Sequence, residues 1–239
     1  MVALLSIIDL AKLQAAEPRF RPALIGNGPK ALVNVIDTNK LVKKGQGNAL
    51  LMFQCYVSLG DVGNYLIYRE TPGSNLLKEE VGHALRKCRC IPAIYNGERT
   101  DIGFEGTVVF SVTDGRPHLR MYANQSHDDL QKGNDFIAPQ LLANTFDLPG
   151  SRYDLAAQKA KVYRQNGAIE LSITVDANGN QKDMKVILED PPGLGLAAAA
   201  RDRYAKVKWI PGFRDGRAVE CTFDYTDWFK TWYRGFEQR

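Results

Sequence analysis

The sequence lacks the motifs by which most enzymes and nucleic-acid-binding proteins are recognised. It contains no GxSxG, HExxH or P-loop motif and no pair of carboxylates spaced for acid–base catalysis. Its 31 basic and 27 acidic residues leave a formal charge of +4, and no run of five like charges occurs. Nucleic-acid-binding proteins concentrate Lys and Arg on one face, so nucleic acid is not expected as a partner. These absences predict a chain that is not an enzyme.

Cysteine is also scarce. The four residues, Cys55, Cys88, Cys90 and Cys221, are too few for a disulfide scaffold, and they form no CxxC pair of the kind found in zinc ribbons and thioredoxin-like proteins. A bridge between Cys88 and Cys90 is sterically poor because the two residues are so close in sequence. Any disulfide is expected to join elements distant in sequence, and the redox compartment stays open.

No apolar run is long enough to cross a bilayer. The apolar start, residues 1–8, is interrupted by Asp9 and Lys12, and no basic segment precedes it. A signal peptide ending near Ala15 or Ala16 would be irregular, because Leu13 or Gln14 would hold the position where a small residue is expected. A first amphipathic helix, or a start left by trimming a longer precursor, is an equally good interpretation.

An internal repeat is present instead. An offset of 119 residues aligns the following residues without a gap: Gly60 with Gly179, Pro72 with Pro191, Leu77 with Leu196, and Ile91-Pro92 with Ile210-Pro211. Glycine and proline mark special backbone positions, so their common register is hard to obtain by chance. The apolar pattern repeats in the same phase. The sequence therefore predicts two tandem copies of one small module.

Each copy is predicted to have the order β-β-α-β. In the second copy, residues 169–176 alternate apolar and polar as in a half-buried strand, and Asn178-Gly179 forms a hairpin turn. A returning strand follows, with Met184, Val186 and Leu188 on one face. The helix has apolar residues at Leu196, Ala200, Tyr204 and Val207, and the last strand covers 218–225. The predicted fold class is α+β, with one helix packed on each small antiparallel sheet.

The predicted organisation has four parts. They are an N-terminal segment (1–30), a first module (31–122), a linker (123–150) and a second module with an aromatic C-terminal tail (151–239). The linker is proposed because 127–129 and 132–135 are polar and glycine-containing. The first strand of copy one is apolar on both faces, so its outer face should be covered by the N-terminal segment, the linker or the other module.

Two short motifs predict neither a cofactor nor a metal. Residues 193–198 match GxGxxA, but the region where a ribose-binding acid is expected holds Trp209 and its neighbours. Glu80 and His83 form an ExxH pair, which metal-binding helical bundles repeat on several helices. No second pair occurs here, so these two residues are predicted to lie on a solvated helix face.

The aromatic tail allows two interpretations. Its residues are Trp228, Phe229, Trp232, Tyr233 and Phe236, with helical spacing. They pack on the sheet or between the modules in the favoured interpretation. In the other, they form an exposed amphipathic helix that meets a partner or a membrane surface.

The most specific segment of the chain lies at 206–212, Lys-Val-Lys-Trp-Ile-Pro-Gly. Followed by Asp-Gly-Arg at 215–217 and an alternating strand, it resembles the C-terminal domain of the energy-transducing protein TonB. The first copy has Ile-Pro at 91–92 and Asn-Gly at 96–97 in the matching places. The resemblance therefore extends to both copies.

The resemblance implies a function as well as a fold. In that family the domain lies in the periplasm and pairs its last strand with a short peptide of an outer-membrane transporter, which is strand addition. It implies a non-catalytic periplasmic protein that binds extended peptide segments in TonB-dependent transmembrane transport. The implied partner-binding residues are Lys206, Lys208, Trp209, Phe213, Arg217, Val219, Cys221, Phe223 and Tyr225. For the lysines, a favourable charge at a helix C-terminus is the simpler explanation.

The chain departs from that family in having two modules and in lacking a Pro-rich spacer and a membrane anchor. These departures argue against active force transmission. The alternative is a structural or interaction protein whose modules pair with each other or self-associate through edge strands. Copy one has Cys90 and Gly106 where copy two has Trp209 and Tyr225, so copy one is predicted to be structural. Trp209→Ala is then expected to weaken partner binding more than Cys90→Ala.

Overall fold

A computed structural model describes residues 19–123, 132–133, 135–143, 167–193 and 195–229 of the chain. Throughout these ranges the protein is sheet-rich with a few short helices, which confirms the predicted α+β class. None of the helices in them has the length and apolar character needed to cross a membrane.

The N-terminal half contains seven strands and three helices among the described residues. In chain order they are β1 (Phe20–Arg21), α1 (Leu32–Val35), α2 (Thr38–Lys43), β2 (Ala49–Ser58), β3 (Asp61–Glu70), α3 (Asn75–Leu85), β4 (Ala93–Tyr95), β5 (Glu98–Thr100), β6 (Ile102–Thr113) and β7 (Arg116–Ala123). The main sheet has the order β3-β2-β6-β7, with neighbouring strands antiparallel. A smaller sheet has the order β1-β4-β5.

The C-terminal half repeats much of this order. Its elements are β8 (Phe136–Ile137), β9 (Gln140–Leu141), β10 (Gly167–Val175), β11 (Gln181–Asp190), α4 (Leu196–Tyr204), β12 (Trp209–Ile210), β13 (Gly212–Arg214), β14 (Arg217–Val219) and β15 (Cys221–Phe229). The main sheet has the order β11-β10-β15, and small ladders join β12 to β9 and β13 to both β14 and β8.

The inner face of β2 forms the first core with α3. Phe53 and Val57 are 1% exposed and pack with Leu77 and Val81, which α3 presents on one stripe. Burial of such side chains stabilises the fold by about 1.5–3 kcal/mol each. The core of the first half is therefore a helix laid on one face of a sheet.

The outer face of β2 is covered in part by the other half, as the apolar pattern suggested. Met52 is 1% exposed, whereas Tyr56 near the strand end is 42% exposed. Between them, Gln54 donates through Nε2 to the Thr226 carbonyl of β15, at 2.8 Å. The two main sheets thus touch through this face.

The second hairpin, which joins β10 to β11, is tight for a steric reason. Asp176 accepts hydrogen bonds from the backbone N–H groups of Asn178 and Asn180, both at 2.9 Å. Gly179 has φ +79°, and a Cβ there would lie 2.1 Å from the Trp209 carbonyl oxygen. Only glycine readily adopts this positive φ and also leaves room for the carbonyl oxygen.

The gapless repeat register is wrong by one residue in the first strand. Phe104 pairs with Cys55, whereas Phe223, which is 119 residues further along, pairs with Ile173. The offset between β2 and β10 is therefore 118, because the second hairpin is one residue longer. A one-residue shift exchanges the two faces of a strand. The inner face of β2 is consequently the one that carries Phe53 and Cys55.

The return strand β11 also differs from its predicted pattern. Its register shifts beside Leu171, which pairs with Val186 while Glu170 pairs with Leu188. Ile187 is the extra residue, and it is 56% exposed. Leu188 is consequently 52% exposed and does not share the inward face of Val186 as predicted, because a bulge reverses the alternation.

The predicted linker contains ordered strands. Phe136 pairs with Arg214 and Leu141 with Trp209, and both Phe136 and Leu141 lie in the second core. Leu142 lies in the first core. The loop-like sequence at 132–135 precedes these strands, while 127–129 lie outside the described residues.

Part of the predicted N-terminal segment likewise belongs to the first half. Phe20 pairs with Tyr95, and the Leu24 N–H donates to the Ile91 carbonyl at 3.1 Å. The structure therefore begins its first half at least as early as β1, before the boundary predicted at residue 31.

The two halves share buried residues. Ile210 and Phe213, from the C-terminal half, belong to the first core. Gln140 is 0% exposed and bonds to both backbone groups of Ala23: Oε1 accepts from the N–H at 2.7 Å, and Nε2 donates to the carbonyl at 2.9 Å. This contact joins β9 of the C-terminal half to the segment that follows β1.

Candidate partner-binding edge

The last strand of the second sheet, β15, is an edge strand among the described residues. It pairs with β10 over its whole length, from Val175 opposite Cys221 to Gly167 opposite Phe229. The structure describes no strand on its other side. An edge of this kind presents backbone donors and acceptors that an added strand can use.

Two carbonyl groups on the outer side of β15 are held by side chains. Gln54 Nε2 bonds to the Thr226 carbonyl at 2.8 Å, and Lys132 Nζ bonds to the Thr222 carbonyl at 3.0 Å. Gln54 is also 2.5 Å from Glu105 Oε1. Sequence analysis missed Gln54, Glu105 and Lys132. A glutamine within the apolar run of β2 was the one available signal for the first of them.

Trp209 lies at the centre of the second core. It is 0% exposed, and its ring stacks on Tyr204 with centroids 6.5 Å apart. Phe223 and Tyr225 meet the Trp209 ring edge-on at 5.3 and 5.8 Å. Such aromatic contacts add stability beyond the buried area. Trp209 therefore supports β15 from beneath and offers no side-chain surface to a partner.

The other predicted binding residues fall into two groups. Phe213 and Phe223 are 8% and 4% exposed and belong to the cores. The rest reach the surface to different extents: Lys206, Lys208 and Arg217 are exposed, and Val219, Cys221 and Tyr225 are half-buried. Lys208 Nζ donates to Asn180 Oδ1 at 3.2 Å, which ties it to the second hairpin. The structure thus places Cys221, Phe223 and Tyr225 on β15 and Trp209 beneath it, but it does not gather the predicted side chains on one surface.

A polar cluster lies at the inner side of β15. The Tyr204 hydroxyl donates to Asp227 Oδ2 at 2.9 Å, and Arg203 is 3.8 Å from the same oxygen. Burial raises the pKa of Tyr204 well above its usual range, and the Asp227 charge raises it further. Burial, followed by Asp227, also raises the pKa of Tyr225. Both phenols are therefore neutral hydrogen-bond donors at physiological pH.

The backbone of Trp228 and Phe229 is a strand and not a helix. Their backbone continues β15, opposite Ala168 and Gly167. The alternative interpretation of the tail as an amphipathic helix is therefore wrong for its first two residues, and the favoured interpretation of packed rings stays a prediction. Trp232, Tyr233 and Phe236 lie outside the described residues.

None of the four cysteines, all of which lie in the described ranges, forms a disulfide. Cys55 and Cys88 are buried, and Cys90 and Cys221 are half-buried. Burial raises the pKa of Cys88 to about 11 and that of Cys90 to about 12. A thiol must ionise to act as a nucleophile or a metal ligand, so these two groups are chemically inert near neutral pH.

The ExxH pair is not on a solvated face as predicted, because Glu80 is 8% exposed. Its Oε2 is 2.5 Å from Lys40 Nζ, and Oε1 accepts from the Asp37 N–H at 3.4 Å. Glu80 therefore joins α3 to the start of α2, while His83 is exposed. Across the described ranges, His, Cys, Asp and Glu nowhere form a group of three or more that could hold a metal ion.

At the start of α4, after the glycine-rich segment, the carboxylate of Glu189 accepts a backbone hydrogen bond. The Leu196 N–H donates to Glu189 Oε1 at 2.9 Å, at the helix start where a dinucleotide phosphate would bind. Gly195 precedes it in the left-handed conformation, with φ +79°. A carboxylate at this position competes with any phosphate for the same donor.

Comparison with protein families points to the C-terminal half. Residues 157–230 match the family described as Gram-negative bacterial TonB protein C-terminal. No curated protein and no solved structure matches the chain. The matched range contains all of β10 to β15 and α4, and excludes β8 and β9. The match supports the resemblance to the TonB C-terminal family for residues 157–230.

Proposed function

We propose that the protein is a non-catalytic, TonB-like periplasmic protein that binds extended peptide segments of its partners by strand addition to β15, in TonB-dependent transmembrane transport. The observation that carries the proposal is that the family match covers the half whose last strand is an edge among the described residues. The expected partner is a protein, such as the peptide of an outer-membrane transporter.

The contacts of β15 favour an added strand. The carbonyl groups of Thr222 and Thr226 face away from β10, since they bond to Lys132 and Gln54. Single side-chain hydrogen bonds contribute only about 0.5–1.5 kcal/mol each. A peptide that pairs along the strand replaces them with a continuous ladder. Trp209 and Phe223 fix the strand from its inner side and so lower the entropy cost of binding.

The proposal includes a tandem origin for the two halves. In each half a glycine approaches a carbonyl after the helix: a Cβ on Gly60 would lie 2.6 Å from the Cys90 oxygen, and one on Gly179 would lie 2.1 Å from that of Trp209. The same groups bond in the same sense, from the Cys90 N–H to Gly60 at 2.8 Å and from the Trp209 N–H to Gly179 at 3.3 Å. The offset between these pairs is 119 residues.

In the first half, the strand that corresponds to β15 has a further strand paired beside it. There β7 pairs with β6 from Gly106 opposite Ala123 to Thr113 opposite Arg116. The corresponding stretch of β15 begins at Tyr225. An extended segment therefore fits beside this kind of strand, and in the first half the chain provides its own. This supports the view that the first copy is structural and the second binds.

A second candidate function is structural, with the two halves bound to each other. The observation that favours it is their shared core, in which Ile210 and Phe213 pack with the first half and Gln140 bonds to Ala23. Pairing occurs through short strands and side chains rather than edge to edge along the main sheets. The two functions are compatible as long as the outer side of β15 stays accessible.

The test is a titration of the isotope-labelled chain with synthetic peptides that copy the N-terminal segments of TonB-dependent outer-membrane transporters. We expect amide shifts along β15. Asp224 lies between Thr222 and Thr226 in the strand alternation, so its N–H also faces outward. Asp224→Pro removes that donor at an edge position that tolerates proline and should abolish the shifts. Asp224→Ala keeps the donor and should preserve them.

Two outcomes would overturn strand addition. One is the absence of any shift along β15 with every peptide, and the other is equal binding by Asp224→Pro and Asp224→Ala. If solution scattering also showed a rigid, compact chain that does not change on addition of peptide, the structural function would be favoured.

A further inference from the structure

A groove in the first half separates the edge strand β3 from helix α3. Its volume is about 490 Å³, and it is lined by Tyr65, Leu66 and Ile67 from the strand and by Lys78, Glu79, Gly82, His83 and Arg86 from the helix. This β3–α3 groove lies at the edge of the first sheet opposite to β7. None of its lining residues belongs to β15.

One wall of the groove is an open strand edge. β3 pairs with β2 on one side, and the described chain places no strand on the other. Residues 65–67 form a regular stretch between two register shifts, paired with 53–55 of β2. A regular stretch next to a helix is the arrangement that accepts an extended peptide as an additional strand.

Gly82 and Tyr65 shape the floor of the groove. A Cβ on Gly82 would lie 2.6 Å from the Tyr65 hydroxyl oxygen, so the ring can lie against the helix only because Gly82 has no side chain. The Tyr65 hydroxyl accepts from Arg86 Nη1 at 2.7 Å, and the guanidinium carbon is 6.0 Å from the ring centroid. Tyr65 and the neighbouring Ile67 are half-buried and give the groove an apolar side.

The charges of the groove differ between its ends. At one end Lys78 Nζ is 2.7 Å from Glu70 Oε1, so the two charges offset each other. At the other end Arg86 contacts Tyr65, and no carboxylate of the described residues pairs with it. His83 is exposed one turn earlier on the same helix. That end therefore has positive charge available for an acidic group.

The contacts also fix a direction. Because Tyr65 meets Arg86 while Glu70 meets Lys78, α3 runs antiparallel to β3. A peptide that pairs antiparallel with β3 therefore places its C-terminal end at Arg86. We propose that the β3–α3 groove is a second peptide-binding site, which takes an extended peptide antiparallel to β3 with an apolar side chain over Tyr65 and Ile67 and an acidic group at Arg86.

The site is specific to the first half. The residues 119 positions after Gly82, His83 and Arg86 are Arg201, Asp202 and Ala205. The second half thus has a long side chain in place of the open floor and an alanine in place of Arg86. The groove shares no lining residue with the edge proposed for transporter peptides.

The probe for the test is an eight-residue peptide of alternating threonine and valine that ends in aspartate, with an acetylated N-terminus and an amidated C-terminus. We expect its addition to the isotope-labelled full chain to shift the amides of 65–67 and of α3. A charge-assisted hydrogen bond supplies much of the specificity, so replacing the peptide's aspartate by asparagine should weaken binding about tenfold.

Protein variants sharpen the assignment. Arg86→Gln should weaken binding of the aspartate peptide about tenfold and leave the weaker binding of the asparagine peptide unchanged. Arg201→Gln, an exposed arginine on α4, is the matched control and should bind both peptides like the unaltered chain. A third peptide has asparagine in place of aspartate and a free C-terminal carboxylate. If this carboxylate reaches Arg86 in place of the aspartate side chain, the peptide should recover the lost affinity.

The proposal is overturned if 65–67 show no shift, or if the aspartate and asparagine peptides bind the unaltered chain equally well. Shifts confined to Cys221–Phe229 would also overturn it, while leaving the function proposed for β15 intact. Because the peptide comparison uses the unaltered protein, a folding defect of Arg86→Gln does not affect the result.

Discussion

The two main sheets have the same strand order up to their last strand, but their edges differ. In the first half, β6 is flanked by β2 and β7. In the second half, β15 is flanked by β10 alone among the described residues, and side chains hold two of its outer carbonyl groups. The difference teaches that one strand order can leave its last strand paired on both sides or, among the described residues, on one side only.

The cores differ in where they place their largest rings. In the first half Phe53 of β2 fills the space beneath Gly106, whose Cβ would lie 2.5 Å from the Phe53 ring. In the second half the corresponding pair is Leu171 and Tyr225, with Trp209 packed against the tyrosine. The aromatic ring of this pair thus stands on β2, the first strand, in the first half and on β15, the last strand, in the second half. The strand proposed to bind a partner, β15, therefore has more aromatic contacts beneath it.

Among the variants that test this difference, Trp209→Ala is expected to have the largest effect. It removes the central ring of the second core and should cost about 3–5 kcal/mol of unfolding free energy. Cys90→Ala, at the matching position of the first half, removes one sulfur atom from a half-buried site and should cost about 1 kcal/mol. Urea unfolding measures both. Equal costs would show that the two positions are equivalent, contrary to the packing.

Trp209→Ala should also reduce partner binding more than Cys90→Ala, as the sequence predicted, but for a different reason. The ring is buried, so the loss follows from a loosened β15 and not from a lost contact. Binding that is restored by a stabilising osmolyte would support this mechanism, because osmolytes favour burial. Loss without any change in stability would contradict it.

The next effect concerns the coupling of the halves. Gln140→Met leaves the buried N–H and carbonyl of Ala23 without this partner, at a cost of about 1–3 kcal/mol for each group. Hydrogen exchange should then accelerate both in β1 and in β12. Gln46→Met is the matched control, because Gln46 bonds to Leu77 and Gly73 within the first half. It should accelerate exchange in the first half alone, and an identical pattern would argue against coupling through Gln140.

A variant with a smaller expected effect tests the different placement of the aromatic rings in the two cores. Gly106→Ala drives a methyl group into the Phe53 ring and should cost about 1–3 kcal/mol, because a buried ring has little room to move. Gly63→Ala is the control: its Cβ would meet its nearest atoms at an ordinary 3.7 Å. That variant should be neutral or stabilising by about 0.4–1 kcal/mol. Similar thermal unfolding of the two variants would refute the packing argument.

The smallest effect is Tyr204→Phe. It keeps the ring stack but loses the hydrogen bond to Asp227, at a cost of about 1 kcal/mol near neutral pH. The folded protein raises the pKa of Tyr204, so this residue's stabilising contribution is complete below the unfolded pKa of about 10 and is lost as pH rises beyond it. Stability measured from pH 7 to 11 should therefore fall less steeply in the variant. A steeper fall would contradict the sign of the shift.

The parts of the fold that sequence could predict are those with a strong local signal. The alternation at 169–175, the Asn178-Gly179 turn and the apolar stripe of α4 each correspond to a described element. Glycine and proline positions preserved the helix and last-strand register because only a few conformations accept these residues. The family resemblance of 206–217 was confirmed by the family match that contains this segment.

The parts that could not be predicted depend on contacts between distant residues. β8 and β9 have two residues each, too few for any periodicity, and they exist because β13 and β12 pair with them. The register error in β2 arose because that strand is apolar on both faces, so its pattern does not distinguish them. Trp209 precedes a proline in an apparent surface motif, and only the tertiary structure shows that its ring is buried.

The shared core has a consequence for synthesis of the protein. Domains ordinarily fold as they leave the ribosome, N-terminal part first. Here the first core is incomplete until Ile210 and Phe213 have been made, and the Ala23 contact awaits Gln140. Closing such long loops is slow. The early strands, with apolar side chains on both faces of β2, must therefore wait unfinished for most of translation, and we expect the nascent chain to depend on chaperones during that interval.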